Sequence, residues 1–198
     1  MIGDVIMDIN QDNVNKFLKE VSGSIARNVE GIVYTYTSIK WRKVSFIIPM
    51  APEPSHRPRL SGYRVYVPGA AKNQRFFNNN VLPNLKGLFI TTPCKVKLDI
   101  YVQTPKSFTK TQQILAEMRV LRPWGNTGDI DNYTKAALDM IQPNEKRGHV
   151  GIMSNDCLII EDHTNKYYSS TPRYEITLTY MDSIPDSIQS PLRLKDKV

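Results

Sequence analysis

Residues 128–142 join an acidic turn to an amphipathic helical repeat. Asp129 and Asp131 stand two positions apart, so in extended backbone their carboxylates project to the same side. From Asn132 onward an apolar face recurs at helical spacing, formed by Tyr133, Ala137, Met140 and Ile141. A second face carries Asp131, Lys135 and Asp139, one every four residues. The pattern predicts a helix with one buried side and an acid, base, acid stripe on another.

The acidic turn has two interpretations. In the structural one, Asp129 or Asp131 caps the helix and Lys135 forms ordinary salt bridges of about 0.2–0.5 kcal/mol. In the functional one, the paired carboxylates face a common ligand. Composition alone leaves both open.

Strand patterns occur on both sides of this helix. Residues 94–102 alternate, with Val96, Leu98, Ile100 and Val102 on one face, which predicts a central strand with one buried side. Other strands are predicted over 32–39, 44–48, 157–160 (short, apolar and buried) and 174–180. Other helices are predicted from 109 or 111 to 118 and from 76 toward 85. We therefore expect an α/β (mixed α+β) fold, with a mixed β-sheet flanked by helices.

Three segments are expected along the chain: an N-terminal extension (1–40), a main domain (41–180) and a loose C-terminal tail (181–198). An apolar repeat predicts a helix in the extension. Asn10 or Asp12 can cap the start of this helix, and Gly31 ends it. That helix packs on the main domain or forms a dimer contact.

Positive charge is concentrated in the middle of the chain. Residues 40–150 hold 18 Lys and Arg against 7 Asp and Glu, although the net charge of the whole protein is +7. Such a segment favours an anionic partner, and nucleic acid is the natural one. Prolines between 49 and 68 stiffen a loop that presents arginines, which suits phosphate contacts, although a solubilising connection is the plainer alternative. The candidate DNA-binding residues are Arg57, Arg59, Arg64, Lys72, Arg75, Arg119, Arg122, Lys146 and Arg147.

Several classes of site and location are not indicated. Cys94 and Cys157 lack metal-ligand spacing, and both are expected to be buried. His56, His149 and His163 also lack such spacing and are expected at the surface or on DNA. Without a membrane-spanning or secretory segment, we expect a cytoplasmic protein.

A third acid completes the functional interpretation. Asp156 precedes the short apolar strand, so folding can bring it beside Asp129 and Asp131. Carboxylate ligands without clustered His or Cys favour a hard ion, Mg²⁺ with Mn²⁺ as the alternative. In a basic protein, such a site suggests metal-assisted attack of water on a phosphodiester.

The complete set of motifs resembles the RusA family of Holliday-junction resolvases. The matching residues are Asp129, Asp131, Asn132, Lys135, Ala136, Asp139, Asp156 and Glu161, with Arg57-Pro58-Arg59 and Val65-Tyr66-Val67-Pro68 upstream, and the resemblance covers about 46–180. It implies a homodimeric Mg²⁺-dependent nuclease that nicks opposed strands of four-way DNA in recombination and repair. It also implies that Asp129, Asp131 and Asp156 are metal-binding catalytic acids with Lys135 beside them, and that Asn132 and Asp139 give structural support.

The chain departs from the family pattern in two places. Thr127-Gly128 stands where many members have a basic residue and proline, and Asn155-Asp156 where some have paired aspartates. Substrate preference is therefore open. Two alternatives remain: a non-catalytic DNA-binding accessory of recombination or packaging, and a nuclease for flaps or other branched DNA. A PD-(D/E)xK nuclease is disfavoured because His163 stands where Glu161 would need a lysine.

Overall fold

The computed structural model describes residues 11–184 apart from 22, 62, 86 and 126. The predicted cap at Asn10 and most of the predicted tail lie outside the described residues. The chain divides into two compact units, one comprising residues 1–43 and 179–198 and the other residues 44–178. None of the described helices is long and apolar enough to cross a bilayer.

The helices and strands alternate irregularly along the chain. In order they are α1 (Gln11–Leu18), α2 (Gly23–Thr37), β1 (Trp41–Ile48), β2 (Arg59–Ser61), β3 (Arg64–Tyr66), α3 (Ala70–Asn80), β4 (Cys94–Gln103), α4 (Lys110–Glu117), α5 (Ile130–Ile141), β5 (Ile159–Ser169) and β6 (Arg173–Met181). Short 3-10 turns cover Leu82–Leu85, Glu145–Arg147 and Asp156–Leu158. The architecture is a mixed α+β fold, as predicted.

A four-stranded mixed sheet has the order β1, β6, β4, β5. β4 is an interior strand, and its predicted inward residues Val96, Leu98, Ile100 and Val102 are all buried. β5 pairs in parallel with β4 and forms one edge. A separate hairpin joins β2 to β3.

The predicted strand over 32–39 is wrong. α2 continues through Gly31 to Thr37. Thr35 and Thr37 donate their hydroxyls to the carbonyls of Gly31 (2.8 Å) and Val33 (3.0 Å), one helical turn earlier. Such bonds let β-branched threonines stay in a helix, so their strand propensity did not decide the structure. No described side chain of α2 is buried.

The predicted short buried strand over 157–160 is also wrong. A 3-10 turn precedes a much longer strand, and Ile160 is 51% exposed because β5 lies at the sheet edge. Cys157 is likewise exposed, whereas Cys94 is buried as expected.

α5 packs against α3 and β5. Its buried residues are Tyr133, Ala136, Ala137, Met140 and Ile141, which confirms the predicted apolar face. The opposite stripe therefore stays free for chemistry.

Candidate active site

An open cleft lies between α5, the 3-10 turn at Asp156 and the start of β5. It is lined by four carboxylates, those of Asp131, Asp139, Asp156 and Asp162, together with Lys135, Thr134, Thr164, Ile130 and Leu138. All three members of the predicted stripe on α5 face this cleft. The fold thus brings Asp156 to the same surface as Asp131 and Lys135.

Gly151 lets the chain carry Asp156 to this position. Its φ is +66°, and a β-carbon there would lie 2.6 Å from the Gln142 carbonyl carbon. The amide of the next residue, Ile152, donates to the carbonyl of Ile141 at the end of α5 (2.7 Å). Only glycine permits so close an approach of two backbones. The following turn therefore starts beside the C-terminus of α5.

The turn at Asp156 is capped by its neighbour. The amide of Cys157 donates to Asn155 Oδ1 at 2.9 Å, so the amide side chain serves as the cap. Asp156 itself is exposed and lines the cleft.

Asp139 shares the electrostatic field of the cleft. Burial raises its pKa, Lys135 opposes the rise, Asp156 adds to it and Arg147 opposes it. Asp139 also lines the cleft. Its role as structural support for the helix stays a prediction.

Asp129 is not one of the residues that line the cleft. It occupies the N-cap position of α5, but its side chain makes no capping hydrogen bond, in contrast to the structural interpretation. Its charge instead interacts with Lys166 on β5.

Lys166 holds the turn that carries Asp129. Sequence patterns did not predict this role. Its Nζ donates to Gly128 O (2.6 Å) and Thr127 Oγ1 (3.0 Å), and lies 5.7 Å from the centre of the Tyr133 ring. Burial lowers the pKa of Lys166, and Asp129 opposes that shift. Residues 159–169 do not alternate between polar and apolar side chains, so no local pattern indicated that β5 extends to Lys166.

The donor chemistry of the cleft fits a hard divalent cation. Its potential ligands are carboxylates and hydroxyls, without His or Cys. Among the described residues, no three His, Cys, Asp or Glu side chains are gathered closely enough to form a cation cage. Mg²⁺ commonly binds through one or two carboxylates, with waters and substrate phosphate at its other positions. Asp131 and Asp156 are the predicted ligands among the four carboxylates that line the cleft.

The candidate DNA-binding residues occupy several surfaces. Arg57, Arg59, Arg75, Arg119, Arg122, Lys146 and Arg147 are exposed, and Lys72 is exposed and pairs with Glu53 at 3.2 Å. The side chain of Arg64 lies outside the described residues. Their roles on DNA stay predictions.

The surface position predicted for His149 is wrong. His149 is only 3% exposed; its Nε2 donates to Met140 O (2.6 Å), and its Nδ1 lies 2.8 Å from Asn78 Oδ1. Burial lowers the pKa of the imidazole, and the bond to Met140 opposes the shift. The polar composition of residues 142–151 favours a solvated loop, but two backbone hydrogen bonds between Asn144 and His149 fold the loop back. His56 and His163 are exposed, as expected.

Two comparisons with known proteins bear on the family of this chain. The protein is 27% identical over 142 residues to an uncharacterized Bacillus subtilis (strain 168) protein, YqaN. The aligned segment covers 68% of this chain and 94% of YqaN. Residues 49–179, about two thirds of the chain, match the family described as Endodeoxyribonuclease RusA. That segment contains β4, α5, β5 and every residue of the acidic cleft. The chain therefore belongs to the RusA endodeoxyribonuclease family.

Proposed function

We propose that this protein is a Mg²⁺-dependent endonuclease that resolves four-way DNA junctions by nicking opposed strands during recombination or repair. The observation that carries the proposal is the cleft that joins Asp131 and Lys135 of α5 to Asp156. Membership of the RusA family supports a nuclease, and the excess of basic residues over 40–150 supports a DNA substrate.

The residues divide into three roles. Asp131 and Asp156 would hold the ion, with Asp129 on the preceding turn as the third predicted acid. A bound divalent cation supplies Lewis-acid polarisation of a phosphate oxygen and lowers the pKa of an attacking water. Lys135, on the same helical stripe, stabilises negative charge that develops on the phosphate or on the leaving oxygen.

Two symmetric sites explain paired nicking. A four-way junction has two-fold character, so a homodimer presents one site to each of two opposed strands. Recognition then depends on branched shape and phosphate charge more than on base identity.

The test is cleavage of a synthetic four-way junction with and without Mg²⁺, by the wild type and by Asp131→Asn. We expect cutting that requires both the ion and Asp131, whereas junction binding by the variant is retained or tightened because like-charge repulsion falls. Asp12→Asn on α1, outside the family match, should cut normally. A wild type that binds the junction without cutting it would indicate a non-catalytic accessory. Faster cutting of a flap in the same gel would move the substrate to other branched DNA.

A further inference from the structure

The loop between α4 and α5 builds an arginine and tyrosine stack on the sheet, formed by Tyr101, Tyr167, Arg119 and Arg122. The two tyrosine rings stack with centres 5.3 Å apart. The guanidinium of Arg122 lies 4.0 Å from the centre of the Tyr167 ring, and that of Arg119 lies 4.8 Å from it. Cation–π contacts of this kind hold the charges in place without neutralising them. The loop thus presents fixed positive charge.

Trp124 stands exposed in the same loop. Its side chain is 82% exposed, although large aromatic side chains usually bury their rings. It lines a surface cleft with Pro105, Gly125, Thr127 and Tyr168. The cleft therefore offers the exposed indole of Trp124 to a flat ligand.

Lys166 connects this cleft to both the stack and the acidic turn. Its carbonyl accepts a hydrogen bond from Arg122 Nε at 3.0 Å. Its ammonium donates to Thr127, which lines the cleft, and to Gly128, directly before Asp129. The cleft, the guanidinium group of Arg122 and the turn that carries Asp129 are thus all bonded to one residue of β5.

We propose that Trp124 stacks on an unpaired base at the branch point of the DNA while Arg119 and Arg122 hold the adjoining phosphate. This inference rests on the proposed function and specifies its substrate as DNA with an accessible base face. Charge complementarity favours a nucleotide over an apolar protein segment, because Arg122 stands two residues before Trp124 and the ammonium of Lys166 bonds Thr127, which lines the same cleft as the indole. Base stacking on aromatic side chains tolerates every base and needs an open base face, which a continuous duplex does not present.

The test measures binding in metal-free buffer with full-length protein, a four-way junction carrying 2-aminopurine at the branch point, and a duplex of equal length. Trp124→Leu removes the aromatic face, Trp124→Phe keeps one, and Phe89→Leu replaces an exposed aromatic residue outside the loop. We expect Trp124→Leu to weaken junction binding roughly tenfold and to leave duplex binding unchanged. Trp124→Phe should restore most of the affinity, and Phe89→Leu should bind like the wild type.

Fluorescence provides a second readout. The protein has only two tryptophans, and Trp41 is 1% exposed, so the wild-type spectrum minus that of Trp124→Phe reports Trp124. The junction should quench this difference signal and change the 2-aminopurine emission, whereas the duplex should do neither.

Three results would overturn the inference. The first is an equal loss of affinity for junction and duplex in Trp124→Leu, and the second is no loss of affinity for either. The third is a Trp124→Leu protein that sediments differently from the wild type without DNA, which would make the indole a contact between copies of the protein. A wild type that cuts junctions while Trp124→Leu binds normally removes the stacking subsite and leaves the proposed function intact. A wild type that neither binds nor cuts junctions removes both.

Discussion

Lys166 fixes the acidic turn through its ammonium group. It bonds two oxygens immediately before Asp129, and its lowered pKa reflects burial that Asp129 partly offsets. Asp129 thus gains a charged partner on β5, a strand far from it in sequence. Such a residue acts by positioning the acid.

Lys166→Met should lower the cleavage rate roughly tenfold, equivalent to about 1.4 kcal/mol in the barrier, because the turn that carries Asp129 loses both of its hydrogen bonds to the ammonium group. The rate should also require more Mg²⁺, whereas junction binding in metal-free buffer should change little. Lys166→Arg should recover part of the rate. A Mg²⁺ dependence identical to that of the wild type would contradict a positioning role.

His149 makes the stability of the fold depend on pH. Its pKa in the folded state lies below the unfolded value of 6.5, so below about pH 6.5 the unfolded chain binds more protons than the folded one. Stability is therefore complete above this pH and falls as the pH drops through the folded-state pKa. His149→Gln should lose less Tm between pH 8 and pH 5.5 than the wild type does, and exposed His163→Gln should lose as much as the wild type. Equal losses in all three proteins would contradict this role.

At the scale of elements, the position of Asp156 depends on the contact between the C-terminus of α5 and the segment after Gly151. The amides of Ile152 and Met153 both donate to Ile141 O, and Ser154 N donates to Ile90 O. These bonds anchor the segment at both ends before the turn begins. The geometry of the cleft therefore depends on a backbone approach that excludes any β-carbon.

Gly151→Ala should destabilise the protein by clearly more than Gly148→Ala. Both glycines have positive φ, +66° and +63°, so each substitution costs about 1–2 kcal/mol of backbone strain. Only the β-carbon at 151 also meets backbone atoms at 2.6 Å, whereas nothing lies within 4 Å of the one at 148. Denaturant unfolding measures the difference. Equal losses would show that the close approach relaxes at no cost.

At the scale of the whole molecule, charge is divided along the sequence. Residues 1–39 hold 3 Lys and Arg against 5 Asp and Glu, whereas residues 40–150, which cover most of the family-matched region, hold 18 against 7. DNA binding should therefore release counterions mainly through that region.

Junction affinity should fall steeply as salt increases. Replacing Arg57 and Arg59 together with alanine should reduce the slope of log K against log [salt] by roughly 1.8, because each phosphate contact contributes about 0.9. Replacing Lys16 and Lys19 on and after α1 removes the same charge from the extension and should leave the slope unchanged. Titrations from low to moderate salt distinguish the pairs, and equal slopes would place the DNA elsewhere.

Local pattern was enough for much of the fold. The buried face of α5, the inward residues of β4 and the Thr109 and Gln112 capping box of α4 are each specified by neighbours within a few positions. Patterns failed where a remote partner decided the outcome. The predicted strand ended at residue 160 because an edge strand buries only part of its length. His149 was predicted at the surface because its partners lie on α3 and α5, far from it in sequence.

For the candidate site, the sequence by itself determined the acidic stripe on α5 and the nearby Asp156, because helical periodicity and residue type are local properties. Only the tertiary structure decided which carboxylates share a cleft. It brings Asp156 and Asp162 to the cleft that this stripe lines, and it places Lys166 where Asp129 influences its charge. Both results depend on the parallel register of β5 and on the close backbone approach at Gly151. Periodicity within one element carries no information about either.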